Sequence, residues 1–177
     1  MIILIAGASH AGKTVLAQKL LEQHHYPYLS LDHLKMGLIR SHHTPLTAYD
    51  DEALTDYLWP VVAEMIKTAI ENRQNLIIEG CYIPFDWADA FTDTYLENIR
   101  YCCLILSESY ILENWQSICD HACDLELRQN DDDLTPQQMI DDNRRNLDAC
   151  REYGLPYVLV DKRYDVTEQI GGILWAM

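Results

Sequence analysis

Short apolar runs alternate with longer amphipathic stretches along the whole chain. The apolar runs are too brief to be helices and consist mostly of aliphatic residues, which is typical of buried strands. The stretches between them have apolar residues at helical spacing. The predicted strands are residues 2–6, 28–31, 76–80, 99–106 and 156–160. Strands that are apolar throughout and joined by helices are typical of a parallel sheet covered on both faces. The pattern therefore predicts an α/β fold with a doubly wound, five-stranded parallel sheet.

The amphipathic stretches predict the helices between these strands. They cover residues 15–23, a segment from 50 to about 71, part of 84–98, residues 107–127, residues 136–153 and the end of the chain from 166. Pro60 lies inside the second stretch and predicts a kink or two abutting helices. Thr135 and Pro136 provide a cap and a first helical residue for the fifth stretch, and Gly154 ends it. Residues 35–49 lack periodicity and predict a mobile connection.

The most specific motif joins the first strand to the first helix. Gly7 is followed, after four residues, by Gly12, Lys13 and Thr14, which fits the phosphate-binding pattern G-x-x-x-x-G-K-[ST] in a strand–loop–helix context. Loop N–H groups and the helix dipole favour an anion, Lys13 supplies charge to the β and γ phosphates, and the Thr14 hydroxyl can join a Mg²⁺ shell. The alternative is a glycine-rich turn beneath a helix. The predicted nucleotide-binding residues are Gly7, Ala8, Ser9, His10, Ala11, Gly12, Lys13 and Thr14.

Length and charge narrow the classes of protein. The 177 residues predict one domain, residues 1–177, with a net charge of −15 from 28 acidic and 13 basic residues. Such a charge argues against binding to nucleic acid or to an anionic membrane, since both require basic patches. We found neither a transmembrane run nor a basic flank of a signal peptide, so a cytoplasmic location is expected. Cys119, His121 and Cys123 could be metal ligands, although a reduced, half-buried helix face is the interpretation that we favour.

Two acidic residues follow predicted strands. Asp32 comes directly after the second strand, and the βαβ geometry from Lys13 returns it to the carboxyl edge of the sheet, where ligands bind. A carboxylate there can orient an acceptor hydroxyl and accept its proton; the alternative is an N-cap for a helix that begins at His33. Glu79 ends the third strand and is a candidate ligand of Mg²⁺, a group that orients the acceptor, or a solvated strand end.

With these motifs the sequence resembles the P-loop NTPase superfamily, and within it the small-molecule kinases. Residues 31–34 resemble the shikimate kinase, gluconate kinase, chloramphenicol phosphotransferase and zeta-toxin type, and residues 76–80 are similar to a segment of uridine-kinase-like proteins. The resemblance implies the P-loop kinase strand order 2-3-1-4-5. It also implies that Glu79 faces Mg²⁺, because its strand lies beside the strand of the loop.

The same resemblance implies an acceptor-binding segment at about 33–60 and a lid at about 128–145. Lys35 and Arg40 could bind an anionic acceptor, with Arg40 the better candidate; solvent-facing charge is the alternative. Arginines bracket the acidic residues 129–134, and the resemblance implies that lid arginines close over the transferred phosphate. Some of them could instead pair with neighbouring acids on a solvated face. These arginines are Arg128, Arg144, Arg145 and Arg151, and residues 141–156 resemble the post-lid segment of adenylate kinase and its relatives.

We therefore expect a kinase that uses ATP and Mg²⁺ to phosphorylate a hydroxyl of a small molecule. The catalytic candidates are Lys13, Asp32, Arg128 and Arg144; the metal candidates are Thr14 and Glu79; the acceptor candidates are Asp32, Lys35 and Arg40. One alternative is a nucleoside monophosphate kinase, in which Arg40 would bind the monophosphate and Asp32 would be incidental. Another is a nucleotide-binding regulatory protein, although a GTPase-type N-K-x-D motif is lacking.

Overall fold

All five strands of the described chain run parallel in one sheet. The computed structural model describes residues 1–121 and 134–175, and its strands are β1 (Ile2–Gly7), β2 (Tyr28–Ser30), β3 (Leu76–Glu79), β4 (Ile99–Leu106) and β5 (Tyr157–Val160). Along the sheet the order is β2-β3-β1-β4-β5. The predicted fold class and strand order are confirmed. This order puts β1, and with it the motif that follows β1, in the centre of the sheet.

Helices cover both faces of this sheet. They are α1 (Lys13–His24), α2 (Leu31–Arg40), α3 (Asp51–Glu71), α4 (Asp93–Leu96), α5 (Glu108–His121), α6 (Pro136–Glu152) and α7 (Val166–Leu174), with a 3₁₀ turn at Trp87–Ala90. Within the described residues, none of these helices is long and apolar enough to span a bilayer. The predicted cap of α6 is confirmed as a capping box, in which Thr135 and Gln138 each bond the other's backbone N–H.

Alternate residues of β1 supply two separate hydrophobic cores. Ile2 and Leu4 point into a core with α3 and the segment around Trp87, whereas Ile3 and Ile5 point into a core with α1, α5, α6 and α7. Strand side chains alternate between faces, so a strand that is apolar at every position must be covered twice. This is why the apolar run at residues 2–6 predicted the sheet correctly.

Two predicted segments differ from the structure between β2 and β3. Residues 35–40 were expected to be irregular but belong to α2, whose Leu34 and Leu38 pack against the first core at helical spacing. Because α2 begins at Leu31 with Ser30 as its N-cap, Asp32 lies in the first turn, and the alternative interpretation of Asp32 as an N-cap does not hold. At Pro60 the sequence predicted a kink or two abutting helices; α3 continues through Pro60 as one element, which excludes two helices and leaves the kink a prediction.

The predicted helical stretch in residues 84–98 is only a 3₁₀ turn and the single-turn α4. Its apolar residues serve packing instead: Trp87 and Phe91 are buried in the first core, and the Trp87 ring stacks on Tyr101 with centroids 5.6 Å apart. A compact, irregular segment that buries two large aromatic rings has the same apolar content as a helix. The sequence pattern alone did not separate the two.

Candidate functional site

The loop after β1 depends on two glycines. Gly7 has φ 143°, and a Cβ there would lie 2.5 Å from the carbonyl oxygen of Leu104 in β4. Gly12 has φ 86° and caps α1, and a Cβ there would collide with the hydroxyl of Tyr164. Between them, His10 also takes a left-handed conformation, with φ 61°. The backbone of Gly7–Thr14 therefore turns tightly into the N-terminus of α1, where N–H groups and the helix dipole favour an anion.

The Lys13 ammonium is folded beneath this loop. Lys13 is only 4 % exposed, and its Nζ donates to the carbonyl oxygen of Ala8 at 2.8 Å and to Sγ of Cys81 at 3.3 Å. Cys81 is exposed and follows β3 by two residues, and its Sγ also lies 3.7 Å from the hydroxyl of Ser9. The lysine thus links the exits of β1 and β3 at the carboxyl edge of the sheet.

Thr14 and Glu79 meet at the same edge. The Thr14 hydroxyl donates to Glu79 Oε1 at 3.2 Å, and Glu79 is 1 % exposed. The register explains the contact, because Glu79 pairs with Ile5 of β1 and both strands end just below α1. A hydroxyl and a carboxylate are hard oxygen donors, which Mg²⁺ prefers, so these two residues fit such an ion.

Asp32 lies on the other side of Glu79. Ser30 at the end of β2 is in register with Glu79, and Asp32 follows in the first turn of α2. Its Oδ1 accepts a hydrogen bond from Lys35 Nζ at 2.8 Å, and both side chains are mostly buried. The structure therefore brings Asp32, Lys35 and Glu79 to one edge of the sheet, and the topology argument had predicted this position for Asp32.

Sequence reasoning missed two residues beside Lys35, Tyr82 and its partner Asp51. Lys35 Nζ also donates to the Tyr82 hydroxyl at 2.8 Å, and that hydroxyl donates to Oδ1 of Asp51 at 2.8 Å. Burial, followed by the hydrogen bond and the negative charge of Asp51, raises the pKa of Tyr82 well above its usual range. The available signal was the position of Tyr82, three residues after Glu79 at the carboxyl end of a strand.

A third residue that the sequence did not single out is Tyr164, between β5 and α7. Its hydroxyl lies 3.2 Å from the carbonyl oxygen of Ala11 and 3.3 Å from that of Gly12. Burial, with a smaller contribution from Tyr110, raises the pKa of Tyr164 to about 12. No local pattern marks Tyr164, because its partners lie at the other end of the chain.

The predicted arginines are more scattered. Arg40 is exposed in the last turn of α2, about 12 Å along the helix axis from Asp32. Arg144 Nη2 lies 3.1 Å from Glu108 Oε2, and Arg145 Nη2 lies 2.8 Å from Asp142 Oδ1; each of these arginines is more than half exposed. Arg128 and the first part of the predicted lid lie outside the described residues. The described arginines of that segment thus form ion pairs on the surface.

Among the described residues there is no group of three or more possible metal-binding side chains. Cys119 is exposed on α5, and Cys123 lies outside the described part of the chain. The favoured interpretation of a reduced helix face therefore stays a prediction.

A glycine-lysine-threonine loop on the central strand of a 2-3-1-4-5 parallel sheet defines a P-loop NTPase with the kinase-like fold. The chain belongs to a family described as an AAA domain, whose family model matches residues 2–96, more than half of the sequence. That range contains the loop, Asp32, Lys35, Glu79 and Tyr82. No protein in a search of curated sequences matches the chain.

Solved structures of similar shape include kinases. A deoxyadenosine kinase from M. mycoides has a TM-score of 0.58 at 16 % identity and covers 98 % of this chain and 97 % of its own. A gluconokinase from Sinorhizobium meliloti 1021 has a TM-score of 0.50 at 16 % identity, with coverages of 98 % and 89 %. An uncharacterized protein from Eubacterium ventriosum ATCC 27560 has a TM-score of 0.56 at 11 % identity, with coverages of 100 % and 99 %. At these identities the similarity establishes the fold.

Proposed function

We propose that the protein is a phosphotransferase that moves the γ-phosphoryl group of ATP to a hydroxyl of a small molecule and that it uses Mg²⁺. The observation that carries the proposal is the convergence of three groups at one sheet edge. They are the phosphate loop with Lys13, the Thr14–Glu79 pair, and Asp32 with Lys35. A nucleotide, a metal ion and an acceptor need these three chemistries side by side.

The loop would hold the phosphates of the nucleotide. The loop leads into the N-terminus of α1, where N–H groups favour an anion, and the glycines at 7 and 12 keep the backbone free of side chains at its tightest points. Lys13 would exchange its bond to the Ala8 carbonyl for phosphate oxygens, because an ammonium binds an anion more strongly than a neutral carbonyl.

Thr14 and Glu79 would hold the Mg²⁺ ion, Glu79 directly or through water. When bound, the ion supplies positive charge that neutralises the β and γ phosphates. Glu79 is suited to this task because its carboxylate is fixed by strand β3 and by the Thr14 hydroxyl.

Asp32 would act on the acceptor. Its carboxylate would orient the acceptor hydroxyl and take its proton while the acceptor oxygen bonds to the γ-phosphorus and the bond from that phosphorus to ADP breaks. Lys35 would hold Asp32 in place through the 2.8 Å ion pair. Similarity in fold to a gluconokinase and a deoxyadenosine kinase supports this class of reaction.

The position of Arg40 favours a hydroxyl acceptor over a nucleoside monophosphate. A monophosphate kinase needs cationic groups around the acceptor phosphate, but Arg40 lies at the far end of α2 from Asp32. The residue that the structure places beside Lys35 is a carboxylate, which would repel a phosphate.

The test compares wild type with Asp32→Asn on a panel of hydroxyl compounds and nucleoside monophosphates, with ATP consumption as the assay. We expect transfer to a hydroxyl compound, a fall in kcat of at least about 100-fold in Asp32→Asn, and an unchanged Kd for ATP. Asp148→Asn, which removes an exposed carboxylate on α6, serves as the control and should behave as wild type. Tight ATP binding without transfer to any compound would refute the proposal, and transfer to a monophosphate alone would establish the rival kinase.

A further inference from the structure

Lys35 bonds directly to the carboxylate of Asp32 and, through the hydroxyl of Tyr82, is linked to the carboxylate of Asp51. Its ammonium donates to Asp32 and to the Tyr82 hydroxyl, each at 2.8 Å, and the Tyr82 hydroxyl donates to Asp51 at 2.8 Å. These four side chains come from α2, from the segment after β3, and from the first residue of α3. The chain of hydrogen bonds therefore ties together the three elements that surround the proposed acceptor position.

The donors and acceptors in this chain can be arranged in only one way. An ammonium group only donates, so the Tyr82 oxygen must accept from Lys35. The single Tyr82 proton must then go to Asp51, which only accepts when ionised. Burial and Asp51 raise the pKa of Tyr82, which favours the protonated phenol that this arrangement requires. Asp51 thus turns a lone pair of Tyr82 towards Lys35.

Tyr82 is a rigid support, whereas Lys35 alone is not. Tyr82 is 4 % exposed and belongs to the first core, and the Lys35 Nζ also lies 4.9 Å from the centre of its ring. A lysine side chain has four flexible methylene groups and loses considerable rotamer entropy when it is held in one geometry. A fixed acceptor for one of its N–H groups restricts where the ammonium can lie.

The backbone brings Tyr82 to this position by a close approach. A Cβ on Gly80 would lie 2.7 Å from Cβ of Leu31, so the end of β3 packs directly on the start of α2. A larger residue at position 80 would push the two segments apart and separate Tyr82 from Lys35. The contact between the two side chains is therefore built into the fold of the site.

We propose that Tyr82 is a positioning residue, which fixes the Lys35 ammonium and through it the Asp32 carboxylate, and that Asp51 orients the Tyr82 hydroxyl for this purpose. The role of Asp32 rests on the proposed function; the coupling of Tyr82 to Lys35 does not.

The experiment begins with a measurement that needs no activity. Tyr82→Phe, Lys35→Met and the double variant are unfolded in urea, and their midpoints are compared with wild type. Coupled residues give a double variant whose midpoint shift is smaller than the sum of the two single shifts. Tyr95→Phe is the matched control, since it also removes a hydroxyl that donates to a carboxylate, in this case Glu71 at 2.6 Å, at the opposite end of α3 from Asp51. In the double variant Tyr95→Phe/Lys35→Met, the midpoint shift should equal the sum of the two single shifts.

The second measurement is kinetic. We expect Tyr82→Phe to lower kcat by about 10- to 100-fold with an unchanged Kd for ATP, because a misplaced carboxylate costs turnover and the phosphate loop is untouched. The double variant should lose no more than Lys35→Met, and Tyr95→Phe should keep the wild-type kcat. Phe keeps the ring in the core, so the variant should fold.

Each combination of results decides the proposal. Additive midpoints for Tyr82→Phe and Lys35→Met overturn it, and so does a wild-type kcat in Tyr82→Phe when the wild-type protein is active. If the wild-type protein transfers phosphate to no compound, the proposed function fails; non-additive midpoints then still support the coupling of Tyr82 to Lys35, and additive ones refute it.

Discussion

The hydroxyl of Tyr164 lies 3.3 Å from the carbonyl oxygen of Gly12, at the end of the phosphate loop where α1 begins. The two residues are 152 positions apart in the sequence. The segment between β5 and α7, residues 161–165, therefore contacts the loop through Tyr164. The phenol occupies the space that a Cβ of residue 12 would need. This contact, together with the positive φ of Gly12, makes position 12 intolerant of any side chain.

Gly12→Ala should lose both stability and nucleotide binding. The new Cβ would collide with the Tyr164 hydroxyl, and the backbone of the alanine would also have to keep φ 86°. Gly154→Ala is a matched control, because Gly154 has φ 65° with no atom near its missing Cβ, so it isolates the backbone strain. We expect Gly154→Ala to lower the free energy of unfolding, measured in urea, by about 1 to 2 kcal/mol and to leave the affinity for ATP unchanged. Gly12→Ala should lower the free energy of unfolding further and abolish ATP binding, measured by calorimetry. Equal costs at the two positions would contradict the role of Tyr164.

The loop was predictable because its chemistry is local. The residues that define the loop lie within one short segment, from Gly7 to Thr14. The apolar strand before this segment and the helical spacing after it predict a strand–loop–helix arrangement. The edge position of Asp32 was also predictable, since parallel strands joined by helices end on the same side of the sheet.

The parts of the site that sequence reasoning missed depend on packing between distant segments. Tyr82 reaches Lys35 because Gly80 lets β3 approach α2, and Asp51 reaches Tyr82 only because α3 folds back over the first core. Neither contact follows from periodicity or from a motif. Helix α2 was missed for a different reason, because Gly37 and the polar residues that follow Ile39 obscured the helical spacing of its apolar residues, several of which contact the first core.

Glu79→Gln should remove the dependence of nucleotide binding on Mg²⁺. The amide keeps the size of the side chain and its contact with Thr14 but carries no charge for a metal ion. We expect the Kd for ATP without Mg²⁺ to match wild type, and kcat with Mg²⁺ to fall by about 10- to 100-fold. Calorimetric titration of ATP at several Mg²⁺ concentrations measures the first quantity. Glu97→Gln, at an exposed position outside the site, provides the control; a wild-type response to Mg²⁺ in Glu79→Gln would mean that Glu79 is not a ligand.

Alkylation of Cys81 should block the phosphate loop. Its thiol is exposed, and its Sγ lies 3.3 Å from Lys13 Nζ, so a carbamidomethyl group added there would occupy space beside the ammonium. We expect iodoacetamide to abolish ATP binding, bound ATP to slow the reaction, and Cys81→Ala to be resistant. Cys119→Ala removes the other exposed cysteine of the described residues and should stay sensitive. Inactivation that persists in Cys81→Ala would assign the effect to another thiol; mass spectrometry of the modified peptide locates it.

Asn143→Ala should destabilise the fold through the backbone of β4. Asn143 is 1 % exposed on α6; its Oδ1 accepts from the N–H of Leu106 at 2.8 Å, and its Nδ2 donates to the carbonyl oxygen of Met139 at 2.8 Å. Alanine leaves the buried N–H of Leu106 without an acceptor, which should lower the free energy of unfolding by about 1 to 3 kcal/mol. Asn146→Ala, on the same helix but only partly buried, should change it little. Urea denaturation of the two variants makes the comparison, and equal stabilities would show that Asn143 does not clamp α6 to β4.

The burial of Tyr101 predicts a loss of stability in alkali. Tyr101 is 3 % exposed on β4; burial and then the neighbouring thiols of Cys103 and Cys150 raise its pKa well above the usual range. The unfolded chain therefore releases this proton near pH 10 while the folded chain retains it, so the unfolded state binds fewer protons and the free energy of unfolding falls as the pH rises. The contribution of Tyr101 is fully present below about pH 10 and falls by about 1.4 kcal/mol per pH unit above it.

Tyr82 and Tyr164 act in the same direction, which makes the wild-type slope steeper than that of one group. Tyr101→Phe should reduce that slope by one proton, measured as urea unfolding between about pH 9 and pH 11. Tyr153→Phe, at an exposed position, should leave it unchanged. Parallel curves for wild type and Tyr101→Phe would show that Tyr101 ionises equally in both states.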